Sequence, residues 1–133
     1  MIYLLDTNAC ITFLCNHDST IARRLAALPR DNVVTCAIVN AELYFGAHRS
    51  NRAAHSLSLV TAFLENFKSL PFDDAAARIY GKLRADLTTQ GNLIGPNDLL
   101  IASIALTHQA TLVTHNTGEF SRIAGLIIED WEI

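Results

Sequence analysis

The sequence predicts a single α/β domain in which a mostly parallel central sheet is sandwiched by helices. Short apolar or β-branched runs, typical of strands buried on both faces, alternate with longer segments whose apolar residues recur at helical spacing. The chain has 133 residues, half of them hydrophobic, which is enough for one full core. We find no repeat, linker or low-complexity tract, so we expect the domain to span residues 1–133.

The first half of the chain begins with a buried strand. The apolar residues 2–5 end at Asp6, a pattern that predicts a strand followed at once by a helix. β-branched residues at 33–36 predict a second strand, and Pro29 ends the helix before it. In order, we predict a strand at 2–5, a helix at 7–16, a helix from Ser19 or Thr20 to Pro29, a strand at 33–36, a helix carrying Ile38, Glu42 and Phe45, and a helix at 52–67.

The second half of the chain continues the alternation. Asp73 is a good helix cap, and Pro96 suits the first position of a helix that has Asp98 in its first turn. The predicted elements are a short strand or edge segment at 69–72, a helix from Asp73 to about Thr89, a helix opened by residues 95–98, a strand at 111–114 and a last strand at 126–128. Alternating strands and helices favour a parallel sheet.

Charge and cysteine content exclude several classes of protein. The formal net charge of −3 excludes a protein that binds nucleic acid through a global basic field. The three cysteines, Cys10, Cys15 and Cys36, are odd in number and lack metal-site spacing, so we expect buried, reduced side chains. No basic leader or long apolar run is present, and we therefore expect a cytoplasmic protein.

Several polar side chains follow the predicted strands. Asp6 comes directly after the first strand, and Asn116 and Glu119 follow the strand at 111–114. Ligands of open parallel sheets bind at the carboxyl ends of the strands, where these residues would lie. A helix N-cap is an equally open interpretation of Asp6.

Two further acids lie on helix faces that are otherwise apolar. The residues three, four and seven positions after Asp98 are apolar, and Glu42 has Ile38 and Phe45 on its side of a helix. A charge on such a face is costly unless it is paired or bound to a metal. Asp98 could instead be a first-turn acid that complements the helix dipole.

A divalent cation is the simplest way to hold several carboxylates close together, because the acids otherwise repel one another. Oxygen ligands without thiolates or paired histidines select Mg²⁺ or Mn²⁺ over Zn²⁺. Such a site suits phosphodiester hydrolysis, since a bound metal activates water and neutralises charge on the phosphoryl group. The residues alone therefore suggest metal-assisted phosphoryl chemistry as a hypothesis.

Four motifs, taken together, resemble the PIN domain over nearly the whole chain. They are the apolar run and Asp-Thr-Asn of residues 1–8, the Glu-Leu-x-x-Gly-Ala helix of residues 40–47, residues 94–102 and residues 112–120. The resemblance implies a PIN-like fold in which Asp6, Glu42 and Asp98 are the catalytic acids that bind Mg²⁺. It also implies that Asn116, a neutral metal ligand, stands where many PIN domains have a fourth acid.

The resemblance suggests accessory roles for other residues near the acids. Glu119 would supply the charge that Asn116 lacks, although a solvated loop acid is about as good an interpretation. Thr7, Asn8 and Thr114 would orient the acids by hydrogen bonds, or serve as helix caps and turn formers. His115 follows the same strand, and a lone loop histidine is usually only solvated.

Within the family the chain most resembles the VapC toxins of bacterial toxin–antitoxin pairs. Its ending, Ile128-Glu129-Asp130-Trp131, is similar to that of the branch that cuts initiator tRNA in the anticodon loop. The resemblance implies a Mg²⁺-dependent endoribonuclease toxin of a type II system, a VapB-type antitoxin partner, an RNA substrate such as tRNA, and a homodimer. Apolar residues of the middle helices could form a dimer face or belong to the core: Leu57, Leu59 and Phe63.

The densest basic stretch comprises His48, Arg49, Arg52 and His55. Arg49 and Arg52 are candidates for contacts with RNA phosphates, and a solvated helix face is an equally good interpretation.

Two other functions fit parts of the pattern. A phosphatase with Asp6 as its nucleophile would need a second aspartate two residues later, where this chain has Asn8. A non-catalytic PIN-like interaction module would not need Asp6, Glu42 and Asp98 together.

Overall fold

Five parallel strands form the centre of the protein, which is described over residues 1–133 by a computed structural model. The strand order is β3-β2-β1-β4-β5. The strands are β1 (Tyr3–Leu5), β2 (Val33–Cys36), β3 (Lys68–Leu70), β4 (Thr111–Val113) and β5 (Ile128–Glu129). The expected α/β architecture is confirmed, and the sheet is wholly parallel.

The central strand β1 lies between β2 and β4. Leu4 of β1 is in register with Val34 of β2 and with Leu112 of β4. Every residue of β2 and β4 is buried, although successive side chains point to opposite faces of a sheet. Both faces of the sheet centre are therefore covered, as the uninterrupted apolar runs predicted.

Seven α-helices cover the sheet and fall into packed groups. They are α1 (Thr7–Cys15), α2 (Thr20–Ala26), α3 (Ala37–Arg49), α4 (Ala53–Leu64), α5 (Asp74–Thr89), α6 (Pro96–Thr107) and α7 (Thr117–Phe120). α1 packs against α2, α3 and α4, and α5 packs against α6. None of the helices is both long enough and apolar enough to span a bilayer.

Helix starts follow the capping residues of the sequence. The Asp6 carboxylate accepts from the Ala9 backbone N–H at 2.8 Å, and Asp73 does the same for Ala76 at 3.0 Å. Pro96 occupies the first position of α6, where its missing N–H costs no hydrogen bond. These caps place Asp6 and Asp98 at the amino ends of α1 and α6.

Some predicted boundaries were wrong by a few residues. The edge strand predicted at 69–72 is at 68–70, and the last strand, predicted at 126–128, is at 128–129. α2 ends at Ala26, before Leu28, and α4 ends at Leu64. The short helix α7 and a 3₁₀ turn at Arg30–Asn32 were not predicted, because neither is long enough to show a periodic pattern.

The structure corrects two expectations about burial. Cys10 and Cys36 are buried, but Cys15, at the last position of α1, is exposed. Phe63 is only 5% exposed and packs against Phe13, with ring centroids 5.3 Å apart, so it belongs to the core and not to a dimer face.

Candidate active site

Three acids meet at the carboxyl edge of the sheet. Asp6 follows β1, Glu42 lies on the helix after β2, and Asp98 lies in the first turn of α6. The three are close enough that the charges of Glu42 and Asp6 both contribute to a raised pKa of the Asp98 carboxyl. Sequence motifs separated by more than 90 residues thus converge on one small region.

Asp6 is buried, and neighbouring groups hold its carboxylate in place. Its carboxylate accepts a hydrogen bond from the Ala9 backbone N–H at 2.8 Å. Burial raises the pKa of Asp6, and the Ala9 hydrogen bond and the nearby Thr114 side chain oppose the rise. The N-cap interpretation of Asp6 is therefore correct, and it does not exclude a second role, because only one carboxylate oxygen is needed for the cap.

Glu42 is held by two side chains from other elements. The Thr7 hydroxyl donates to Glu42 Oε1 at 2.6 Å, and the Asn97 amide donates to Glu42 Oε2 at 3.4 Å. The hydrogen bond joins Thr7 to one of the acids, and the orienting role of Thr7 stays a prediction. Asn97 was not singled out from the sequence, although it directly precedes Asp98.

The prediction that Glu42 shares an apolar face of α3 with Ile38 and Phe45 was partly wrong. Phe45 is 63% exposed, so it does not mark a core-facing stripe of α3. The buried side of α3 consists of Val39, Leu43 and Ala47. Glu42 lies at the edge of that side, half-buried, where Thr7 can reach it.

Asp98 lies on the core-facing side of α6, as its neighbours predicted. Ile101, Ala102 and Ala105 are all buried, and Asp98 itself is half-buried. Burial first, and then the nearby charges of Glu119 and the other acids, raise the pKa of Asp98 to about 6. Without a cation, the site therefore opposes ionisation of this carboxyl.

Glu119 joins the acids through hydrogen bonds to two loops. Its Oε1 accepts from the Gly95 backbone N–H at 2.7 Å, and its Oε2 accepts from the Asn116 amide at 3.0 Å. The Gly95 N–H is the main cause of a lowered pKa of Glu119, and the nearby Asp98 side chain also contributes. Glu119 is therefore not simply a solvated loop acid.

His115 is exposed but not free in solvent, which corrects the expectation from the sequence. Its Nδ1 lies 2.9 Å from Asp130 Oδ2 and 3.9 Å from Glu132 Oε2. The hydrogen bond and the charge of Asp130 raise the pKa of His115. The charge of Glu132 also contributes to the raised pKa of Asp6, so this group lies beside the three acids.

Three other predicted residues lie outside the hydrogen-bonded cluster. Asn8 is exposed and its side chain makes no hydrogen bond to an acid, so its orienting role stays a prediction. Arg49 and Arg52 are exposed, and the Arg49 guanidinium lies 5.7 Å from the centre of the Phe45 ring.

A model of the PIN domain matches residues 3–126 of the chain. The chain belongs to the PIN-domain family. Within it the chain is of the VapC type: Ribonuclease VapC2 of Rickettsia felis is 40% identical over 133 residues, with 99% of each chain covered. The tRNA(fMet)-specific endonuclease VapC of Shigella flexneri is 35% identical, with 97% of each chain covered.

The fold of this PIN domain is also found in a solved toxin–antitoxin complex. The crystal structure of VapBC2 from Rickettsia felis, bound to a DNA fragment from their promoter, contains a chain with a TM-score of 0.93 and 39% identity. The similarity covers 98% of this chain and 99% of that chain. The arrangement of strands and acids described above is thus built on the VapC-type PIN fold.

The donor set of this PIN domain fits a hard divalent cation. Asp6, Glu42 and Asp98 offer carboxylate oxygens, and none of them forms an ion pair with a lysine or arginine. Burial first, and then the charges of neighbouring acids, raise the pKa values of Asp6 and Asp98. A cation that prefers oxygen, such as Mg²⁺ or Mn²⁺, would remove the repulsion among these charges.

Proposed function

We propose that this protein is a Mg²⁺-dependent endoribonuclease toxin of a type II toxin–antitoxin system, hydrolysing phosphodiester bonds in RNA. The observation that carries the proposal is the convergence of Asp6, Glu42 and Asp98, each held by burial or by hydrogen bonds and none neutralised by a basic side chain. Mn²⁺ is a plausible substitute, because it accepts the same ligands.

Asp6, Glu42 and Asp98 would hold the cation, with the Asn116 side-chain oxygen as a neutral fourth ligand. When bound, the cation lowers the pKa of an attacking water and polarises the scissile phosphate. Thr7 keeps Glu42 in position, at 2.6 Å, in the way that outer hydrogen-bond partners orient metal ligands. The Thr114 side chain, which lies near Asp6 and lowers the pKa of that carboxyl, would orient Asp6 in the same way.

Glu119 would compensate for the neutral Asn116. Both Glu119 oxygens accept hydrogen bonds in the structure, one of them from Asn116 itself. Many PIN domains have an acid at the position of Asn116. Here the acid is Glu119, which is hydrogen-bonded to the neutral ligand. Glu119 restores negative charge to this side of the site.

A tRNA, with the initiator tRNA anticodon loop as the cut site, is the substrate we propose. The similarity to a tRNA(fMet)-specific endonuclease over 97% of the chain supports this choice. Arg49 and Arg52 follow Glu42 in the sequence, and both are exposed. They would contact RNA phosphates. Such a substrate would place the activity in the cytoplasm.

The proposal is tested by incubating the purified, partner-free protein with total tRNA in Mg²⁺ and mapping the new ends by sequencing. We expect cuts in the anticodon loop of initiator tRNA. Cuts spread over many tRNAs would overturn the substrate and leave the nuclease assignment intact. Intact tRNA at high enzyme concentration, with Mg²⁺ bound, would overturn both.

A VapB-type antitoxin would block the site from an adjacent groove. An apolar groove of about 300 Å³ runs between α1, α3 and α4, and Glu42 lies at its edge. Ile11 and Leu59 line it and are 44% and 46% exposed. An apolar antitoxin segment carrying a basic residue would cover both the groove and Glu42, so Leu59→Arg should weaken antitoxin binding and spare RNA cleavage.

A homodimer remains a proposal, in which Leu59 stays a candidate interface residue and Phe63 does not. Because Phe63 is in the core, the exposed apolar residues of the middle helices are Tyr44, Phe45 and Leu59. Light scattering of the purified chain, with Phe45→Ser as the variant, tests whether they form an interface between copies.

The phosphatase alternative has no support from the lysines. Lys82 pairs with Asp86 on α5, and Lys68 is exposed at the start of β3. Neither is available to assist Asp6 as a nucleophile.

A further inference from the structure

A second group of potential metal ligands lies beside the three acids. It consists of His115, which follows β4, together with Asp130 and Glu132, which follow β5. One ligand atom of each residue lies within 4.8 Å of the other two. Two loops from neighbouring strands thus bring a nitrogen donor and two carboxylates to one point.

Local structure orients the Asp130 carboxylate and anchors the segment that carries both acids. Asp130 Oδ1 accepts from the Glu132 backbone N–H at 2.9 Å, so Asp130 Oδ2 is the oxygen that faces His115. Trp131 separates Asp130 and Glu132 in the sequence and is only 1% exposed. The centroid of its ring system lies 5.4 Å from the centroid of the Tyr3 ring. A buried indole therefore anchors the segment, and its two neighbours, Asp130 and Glu132, both lie close to His115.

A simple ion pair does not account well for the arrangement. The His115 side chain is 63% exposed, and an exposed ion pair adds little to stability because solvent screens the two charges. Asp130 and Glu132 have no lysine or arginine partner, and His115 is the single basic group that faces them. The two carboxylates thus lack a full countercharge, and Asp6 adds further negative charge nearby.

We propose that His115, Asp130 and Glu132 bind a second divalent cation of the borderline class, represented by Zn²⁺, separate from the cation of the three-acid site. An imidazole nitrogen with two carboxylates is a donor set that Zn²⁺ accepts, with a fourth position left for water. The oxygen-only site of Asp6, Glu42 and Asp98 prefers Mg²⁺. The proposal concerns metal binding alone and does not rest on the ribonuclease function.

The decisive experiment measures Zn²⁺ binding after the three-acid site has been disabled. In an Asp6→Asn/Asp98→Asn background, equilibrium dialysis against Zn²⁺ should still retain one equivalent of metal per folded chain. Adding His115→Asn should abolish it, whereas adding His108→Asn, which removes another exposed histidine, should not. The His115 ring nitrogens should also shift in ¹⁵N spectra when Zn²⁺ is added to the full-length wild-type protein.

Other outcomes would overturn the proposal. Loss of all Zn²⁺ binding in the Asp6→Asn/Asp98→Asn background would mean that the metal uses only the three-acid site. Binding that survives His115→Asn would assign it to other groups. Because the experiment does not measure cleavage, a negative result would not affect the nuclease proposal. A protein that fails to cleave RNA would likewise not affect the proposal of Zn²⁺ binding.

Discussion

Replacing Asp98 with asparagine should stabilise the metal-free protein while abolishing its response to Mg²⁺. Burial and neighbouring acids raise the pKa of Asp98 from 3.8 to about 6, so the folded state disfavours its charge. A group with a raised acid pKa destabilises the fold above that pKa. The destabilisation shrinks as the pH falls below 6 and vanishes below 3.8.

The size of the effect follows from the same pKa values. A difference of about two in pKa corresponds to about 3 kcal/mol. Asp98 is only half-buried, so solvent screening reduces this to about 1–1.5 kcal/mol. For a chain of 133 residues, that is a rise of about 4–5 °C in Tm for Asp98→Asn in EDTA at pH 7.5.

Thermal unfolding with and without Mg²⁺ tests this reasoning. In EDTA the advantage of Asp98→Asn should be largest at pH 7.5 and smaller at pH 4.5, and Mg²⁺ should raise the Tm of the wild type only. Asp86→Asn, on the exposed side of α5, is the matched control and should change stability by less than about 0.5 kcal/mol. A variant less stable than the wild type in EDTA at pH 7.5 would refute the electrostatic account of Asp98.

Three further variants separate the parts of the site. Thr7→Val removes the 2.6 Å hydrogen bond to Glu42 and should lower kcat about tenfold or more, with RNA binding in EDTA unchanged; an unaltered kcat would exclude the orienting role. Glu119→Gln should weaken Mg²⁺ binding about tenfold, measured by calorimetry; equal affinity would show that its charge does not reach the metal. Arg49→Glu with Arg52→Glu should raise KM for RNA about tenfold and leave Mg²⁺ binding intact; an unchanged KM would remove both residues from the RNA path.

Much of the fold followed from the sequence because local signals agreed with the final structure. The apolar run before Asp6 and the β-branched residues at 33–36 became adjacent buried strands. Asp73 and Pro96 marked helix starts correctly. The weaker predictions concerned short elements such as β5, where two residues and a turn give no period to recognise.

The three central acids and several accessory residues could be named from the sequence, but the contacts that join them could not. The Thr7 to Glu42 hydrogen bond joins residues 35 positions apart, and Glu119 reaches Gly95 across 24 positions. Such contacts depend on which strands become neighbours, and helix periodicity does not report this. Phe45 shows the opposite error, because an apolar residue at helical spacing from an acid was taken as core and is exposed.

The group of potential metal ligands beside the candidate active site was missed for the same reason. His115 looked like a lone loop residue because its partners, Asp130 and Glu132, lie at the end of another strand. The pairing of β4 with β5 brings them together.

The most direct test of the central claim is RNA cleavage by wild-type protein and by Asp6→Asn, each in Mg²⁺ and in EDTA, with folding checked by circular dichroism. We predict that only the wild-type protein in Mg²⁺ cleaves RNA. The wild type in EDTA and the folded Asp6→Asn variant in either condition should show background rates. Cleavage that persists in EDTA, or in a folded Asp6→Asn protein at the wild-type rate, would contradict a metal-dependent nuclease built on these acids.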